Sequence, residues 1–335
     1  GSLDGVVTNA LGMQPMRPIV RADGSFAGRS DGLRYSNPVA LANLNSTELE
    51  TMRAFGNVEA NYQLASKLRL TGRGGFDALG LDETDWESPK VDRTYAASAG
   101  GVGKSGHTNA SKYLAEGFAT FEPLSSATNH LSLVGGASVE YNKSTLNFIR
   151  GEGFTSGFGT YVRNASNVTS YDGSSTSNNL VGFFGRADWS LNDRYLLSAS
   201  LRSDGSSRFG SDNRYGLFPA ASLGWVVSEE PFAKGLQRFV NLKLRASYGA
   251  TGNQGIGDFA ARALATGSPY SGTPGVSVSQ LGNPDLRWET TRELDTGADL
   301  LFFNGRVSLT ADYYVRKTSD LLVQLDGRLS HAHTA

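Results

Sequence analysis

Apolar and polar residues alternate with a period of two along most of the chain. Val181, Phe183, Gly185, Ala187 and Trp189 fall on one face, and Gly182, Phe184, Arg186 and Asp188 on the other. That is the pattern of a strand with one apolar and one mostly polar side. It recurs at Leu242, Leu244, Ala246 and Tyr248 against Lys243, Arg245 and Ser247, and at Leu309, Ala311, Tyr313 and Val315 against Thr310, Asp312, Tyr314 and Arg316. Residues 131–141, 195–202 and 292–302 repeat it. Weaker arms lie near 57–64, 68–76, 113–121, 214–227 and 321–325, making eleven candidate strands in all. Ser46 to Arg53 reads as a short helix, and Pro231 to Phe239 as another helical turn.

The connections alternate in length. Residues 65–67, 122–130, 190–194 and 303–305 are short, the last a hairpin with Gly305 placed for positive φ. Stretches 77–112, 142–179 and 252–290 read as long loops, with 203–213 and 228–239 intermediate. Short turns at one end and long loops at the other are expected of an outer-membrane barrel with strands paired in sequence order. Compact soluble domains rarely carry several such loops. The competing fold is a β-sandwich, a soluble or surface domain that binds carbohydrate without transporting it.

Composition agrees with a barrel. Glycine supplies 41 of 335 residues, well above the usual ~7%, beside 13 Tyr, 17 Phe and 4 Trp. Gly relieves crowding in strands and aromatics favour the lipid–water boundary. No run of about 18 apolar residues is present, so no transmembrane helix is expected. A net charge of -1 gives no basic field for nucleic acid. With no cysteine, thiolate nucleophiles and thiolate metal sites are excluded.

From Val181 onward the motifs accumulate: Asp193-Arg194-Tyr195-Leu196-Leu197, then Arg202-Ser203-Asp204-Gly205-Ser206-Ser207-Arg208-Phe209-Gly210, then Arg214-Tyr215-Gly216-Leu217-Phe218-Pro219-Ala220 and Ser228-Glu229-Glu230-Pro231-Phe232. Leu242 to Gly249, Thr251-Gly252-Asn253-Gln254, Leu281-Gly282-Asn283-Pro284-Asp285-Leu286-Arg287-Trp288-Glu289 and Thr318-Ser319-Asp320-Leu321-Leu322 follow. In this order the run resembles the SusC/RagA-like family of TonB-linked outer-membrane transporters, strongly over about 180–324 and more weakly over about 35–90.

The resemblance implies an all-β fold: an antiparallel up-and-down transmembrane barrel portion, about eleven strands of a larger barrel. It implies a bacterial outer-membrane location and uptake of glycans or peptides. The implied partners are the lipid bilayer, a TonB-type energy-coupling protein and a SusD-like surface lipoprotein. The family's plug domain and remaining barrel strands are expected outside these residues. Residues 1–55 are expected as a first loop and lead-in, 56–324 as barrel strands with extracellular loops, and 325–335 as an atypical tail resembling a truncation end. Terminal strands of such a piece should lack partners within the chain.

No enzyme chemistry or cofactor is indicated. Asp204 to Gly210 reads as a turn with special glycine φ and an Arg208–carboxylate pair; no Gly-Lys-Ser/Thr ending makes it a phosphate loop. Gly252 and Asn253 read as the top of a strand, Asn283-Pro284 as a turn initiator, and Trp288 as a loop anchor at the interface. Arg186, Asp188, Lys243, Arg245, Asp299 and Asp312 are expected to line the lumen. Trp86, Tyr95, Tyr161 and Tyr171, with Tyr35 and Tyr270, are expected on outer loops as candidate ligand contacts. His107 and His130 stand without a second metal ligand, His331 and His333 without a third, and Asp82, Glu83 and Asp85 lack calcium-loop spacing.

Overall fold

The computed structural model describes residues 5–156, 159–235 and 239–323. Twelve strands follow in chain order among them: β1 (Ser46–Ala65), β2 (Leu68–Glu87), β3 (Val102–Ser125), β4 (Asn129–Phe154), β5 (Ala165–Leu191), β6 (Tyr195–Ser206), β7 (Tyr215–Val226), β8 (Val240–Asn253), β9 (Leu264–Gly267), β10 (Val276–Gln280), β11 (Glu289–Phe302) and β12 (Val307–Ser319). Ten form one sheet in the order β1-β2-β3-β4-β5-β6-β7-β8-β11-β12, and β9 and β10 form a separate hairpin inside the β8–β11 connection. Neighbours in sequence are neighbours in the sheet, with β1 and β12 at its open edges. A sandwich needs a second large sheet, and the described residues form none.

The first ten expected strands are the ten of this sheet. The eleventh, 321–325, is not a strand at 321–323, and 324–325 lie outside the described residues, as do the 325–335 tail, His331 and His333. The helix expected at Ser46 to Arg53 is the start of β1, so the wall begins ahead of residue 56. Good helix formers there yield to ladder pairing, which sets local structure more strongly than propensity. The expected helical turn at Pro231 to Phe239 is a 3₁₀ turn at Pro231–Ala233. Two long loops shrink: strands continue to Glu87 and Phe154 and resume at Val102 and Ala165.

The chain divides into two compact units. One comprises Gly1–Gly56, Phe76–Lys112 and Asn142–Ser177. Its small core joins Ala40 and Leu41 of α1 (Pro38–Leu44) to Val91, with Phe26 and Leu44 against them. Asn37 caps α1, its side-chain oxygen accepting from Val39 N at 3.0 Å, while its amide donates to Ile19 O at 2.7 Å. One side chain thus starts the helix and ties it to the lead-in segment.

The other unit comprises Asn57–Gly75, Tyr113–Tyr141 and Asn178–Ala335. Its antiparallel registers fix which residues share a face. One row runs Trp189, Leu197, Leu223, Ala246, Thr296, Tyr313, and the next Ala187, Ala199, Ala221, Tyr248, Leu294, Val315. Between them on the opposite face runs Asp188, Ser198, Ser222, Ser247, Asp295, Tyr314. Alternation read strand by strand is therefore in phase across the sheet, which a one-residue slip would destroy.

Within this unit the short turns gather at one end. Glu122 N donates to Lys67 O at 2.9 Å, Asn192 N to Thr128 O at 2.6 Å, and Val226 N to Arg194 O at 2.8 Å. The β11–β12 turn uses positive φ at Phe303, Asn304 and Gly305, as expected for the glycine.

Candidate functional site

All six expected wall residues lie on the polar face. Asp188 shares a row with Ser247 and Asp295; Arg245 pairs in register with Gly297, which pairs with Asp312; Lys243 pairs with Asp299, which pairs with Thr310. Arg245 is the hub. Its Nε lies 3.2 Å from Asp299, Nη1 3.6 Å from Asp295 and Nη2 2.5 Å from Asp312. The fork spans three strands because a guanidinium presents donors in several directions. Asp295 belongs to this cluster and was not singled out from sequence, although it lies two positions from Gly297 on the same strand face.

Arg186 donates from Nε to Asp188 at 2.6 Å, and Arg202 from Nε to Asp204 at 2.7 Å. Both are i,i+2 pairs, the spacing that puts two side chains on one face of a strand. Space is made by glycine opposite: a Cβ on Gly182 would fall 2.5 Å from Asp204 and 2.6 Å from Arg202.

At the end opposite the short turns, the motif Asp204 to Gly210 builds a buried knot. Asp204, Gly205 and Ser206 are the last residues of β6, paired with β5, and Asp204 and Gly205 pair also with β7; they do not form a turn. Neither Gly205 nor Gly210 has positive φ. They are needed for close approach: a Cβ would meet the Tyr215 ring at 2.5 Å in one case and Pro284 O at 2.9 Å in the other. Ser207 and Asn179 exchange bonds, Ser207 N to Asn179 O at 3.0 Å and Asn179 N to Ser207 Oγ at 2.8 Å. The carboxylate expected for Arg208 is Asp258, at 3.0 Å, which also accepts from Asn178 at 2.9 Å.

Phe209, Phe218 and Trp288 close the knot. Trp288 is 7% exposed, so it is a core residue and not the interfacial anchor expected. Its indole N–H donates to Arg214 O at 2.9 Å. Gly252, at the top of β8, would drive a Cβ into the Phe218 ring and to 2.9 Å from Trp288. Asn253 donates to Glu289 at 3.2 Å. Asn283 makes the expected turn, accepting from Asp285 N at 3.1 Å, and Asn213 donates to Pro284 O at 3.1 Å.

The other four candidates lie in the first unit. Trp86 and Tyr171 are on β2 and β5, not on loops, Trp86 edge-on to Phe154 at 4.9 Å. Tyr95 opens a short helix, with Arg150 over its ring and its hydroxyl donating to Glu152 at 3.1 Å. Tyr161 and Tyr171 project freely, 73% and 83% exposed. His107 is engaged at both ring nitrogens, by Asp82 at 2.5 Å and Asn109 at 2.7 Å.

Around the short turns sits Glu230, half-ringed by donors: Tyr195 Oη at 2.5 Å and Trp225 Nε1 at 3.1 Å. These hydrogen bonds, Tyr195's first, hold its carboxyl below the usual glutamate value.

A family model described as TonB dependent receptor-like, beta-barrel, matches residues 12–331. TonB-dependent receptor P26 of Formosa agariphila is 31% identical over 95% of the chain, which covers 33% of that protein. TonB-dependent receptor SusC of Bacteroides thetaiotaomicron is 33% identical over 85% of the chain and 29% of its own length. The chain thus spans about a third of the curated relatives it matches. The structure of a RagAB peptide transporter superposes with a TM-score of 0.79 at 24% identity, covering 86% of this chain and 32% of that one.

Proposed function

The chain belongs to the TonB-dependent receptor-like β-barrel family of the bacterial outer membrane, and from that premise we propose that it forms part of the wall of a nutrient importer, apolar face to lipid and charged face to the lumen. The observation that carries this reading is the in-phase segregation of the two faces. On β7, Leu217 and Leu223 are 60% and 47% exposed although they stand on a central strand. An apolar surface of that extent needs a cover, and hydrocarbon is the cover a barrel wall has. The same face of β7 opens with Tyr215 and ends with Trp225, ten positions apart. At about 3.4 Å per residue and a tilt near 45°, that spans roughly 24 Å, close to the apolar band of such barrels.

The cargo on this reading is glycan or peptide, in line with a relative named SusC and a structural neighbour titled a peptide transporter. Family membership supports a TonB-type energy source, a SusD-like lipoprotein partner and an internal plug in the whole receptor, and a transport role in place of catalysis. On this reading the knot of Phe209, Phe218 and Trp288 orders the loop end of its own unit, and the exposed Tyr161 and Tyr171, with Tyr95, are cargo contacts of the other. Single-cysteine labelling in intact outer membranes tests the wall assignment. A hydrophilic maleimide should modify cysteine at Ser198, Ser200 and Ser222 and spare it at Ala199, Ala221 and Leu223. The opposite pattern, or uniform labelling, refutes it.

A further inference from the structure

In the first unit, β1 and β2 keep two distinct faces. Arg53 and Asp77 form an ion pair at 2.6 Å on one. Met52, Ala54, Gly56, Phe76, Ala78 and Gly80, at the alternate positions, lie on the other. There Met52 and Phe76 are exposed, and a Cβ on Gly56 would touch the Phe76 ring at 3.1 Å. On that face β1 to β4 share a hollow of about 470 Å³. Ala54, Ala78 and Gly80 form its apolar side, and Ser111, Thr145 and Lys143 its polar side. Nothing in the packing requires glycine at 80: within 4 Å a Cβ there would find only Asn109 Oδ1 at 3.7 Å and Met52 O at 3.9 Å. The next outward positions on the same face are acidic, Glu50 on β1 and Asp82 on β2, the latter 2.5 Å from His107. Seven positions past Gly80, β2 ends at Glu87. The hollow therefore sits where the apolar face gives way to polar residues, on the loop side.

We propose that this hollow binds one phosphate-bearing lipid of the outer leaflet, with an acyl chain against Ala54, Ala78 and Gly80 and the phosphate against Lys143. The proposal rests on the wall assignment above, since the hollow must face the membrane. Lys143 is exposed and, among the described residues, has no hydrogen-bonding or ionic partner. Arg53, Lys104 and Arg150 of the same unit are matched, by Asp77, by Glu87 at 3.0 Å and by Glu152 at 3.0 Å. An unpaired ammonium beside an apolar hollow fits a ligand with an anionic head and an apolar tail. Lysine is tolerated on a lipid-facing wall near the interface, where its stem lies along apolar surface and its ammonium reaches the headgroups. Ser111 and Thr145 add hydroxyls that can donate to phosphate oxygens. The small side chains let an acyl chain lie close against the sheet. A free phosphate would leave that apolar side uncovered, and an uncharged lipid would leave Lys143 unpaired.

The test uses the intact receptor, delipidated in detergent and followed by native mass spectrometry. The probes are a diphosphorylated, acylated glucosamine-disaccharide lipid, the same lipid stripped of its phosphates, and inorganic phosphate. The parent should hold one copy of the phosphorylated lipid, bind the dephosphorylated one more weakly, and show no competition from inorganic phosphate. Lys143→Gln should weaken the phosphorylated lipid about fivefold and leave the dephosphorylated one unchanged. Gly80→Leu fills the hollow and should weaken both, while heat-modifiable gel migration stays as in the parent. Lys234→Gln, at the short-turn end, is the control and should change neither. Equal binding of the two lipids by the parent, competition by inorganic phosphate, undiminished binding in either hollow variant, or an equal loss in Lys234→Gln overturns the proposal. Cysteine labelling at Ser200 against Ala199 in the same receptor separates the two failures: inverted labels sink the wall assignment, whereas correct labels with an empty hollow sink only the lipid site.

Discussion

Arg245 on β8 lies across Gly297 on β11, its partner in register, and a Cβ on that glycine would stand 2.9 Å from the guanidinium carbon. The glycine is the gap through which Arg245 reaches Asp312 on β12. Three strands are thereby stitched on their charged face by one side chain. Glycine costs a strand interior its usual packing and entropy, and here the return is a charge network.

Gly297→Ala should therefore displace Arg245 and destabilise the wall by about 1–3 kcal/mol, the usual range for an inserted methyl in a filled site. Gly249→Ala on β8 is the control, because its Cβ would meet only Ala220 Cβ, at 3.5 Å. Urea unfolding in detergent, followed by tryptophan fluorescence, reads the difference. Equal midpoints for the two variants would count against the glycine's role.

Trp288→Ala should open the knot at the loop end. Loss of a buried tryptophan costs about 3–5 kcal/mol, and here it also releases Phe209, Phe218 and the N–H bond to Arg214. The expected readout is faster proteolysis within 254–288, with the remaining strands protected. An unchanged cleavage rate would show that Arg208 and Asp258 hold the loop without the ring.

Legibility in the sequence followed the separation of the two faces. Residues 242–248 and 309–316 alternate apolar with polar, and that alternation marks the middle of β8 (Val240–Asn253) and of β12 (Val307–Ser319), about half of each strand. The ends carry no such signal. Tyr171 and its neighbours in 165–177 pair as strand while carrying Ser, Thr and Asn on both faces; without an apolar side the ladder leaves no period to detect. Ser46 to Arg53 misled through helix-forming residues. The expected wall charges share one face of the sheet, since register parity follows from alternation. The carboxylate partner of Arg208 was not legible: Asp258 is 50 positions away, and only the folded loop joins them.

Acid should weaken the short-turn end through Glu230. Its folded carboxyl is held low by Tyr195, then Trp225. A carboxyl lowered on folding contributes stability fully above its unfolded value, near 4.3, and that contribution fades as pH falls through the lower folded value. Tyr195→Phe removes the first-named donor and brings the folded value back toward the unfolded one. The variant should be less stable than the parent above about pH 5, and the gap should narrow as both are acidified. A pH series of unfolding midpoints measures it; a gap constant from neutral pH down to pH 3 would exclude Glu230 as the cause.

Adjacent residues on β8 should respond oppositely to the same charge. Ala246 shares its row with Leu223 and Tyr313, and Ser247 shares its row with Ser222 and Asp295. Ala246→Lys puts an ammonium among apolar neighbours near the middle of the strand, where a lipid-facing lysine costs about 2–4 kcal/mol. Ser247→Lys puts it beside Asp295, and it replaces only a hydroxyl. The expected outcome is a large drop in folded yield in lipid vesicles for the first and near-parent yield for the second. In water-soluble refolding conditions the asymmetry should shrink, because the penalty belongs to hydrocarbon and not to the chain. Equal sensitivity of the two sites in vesicles would mean that the face of Ala246 does not meet lipid, and the wall would have to be turned inside out.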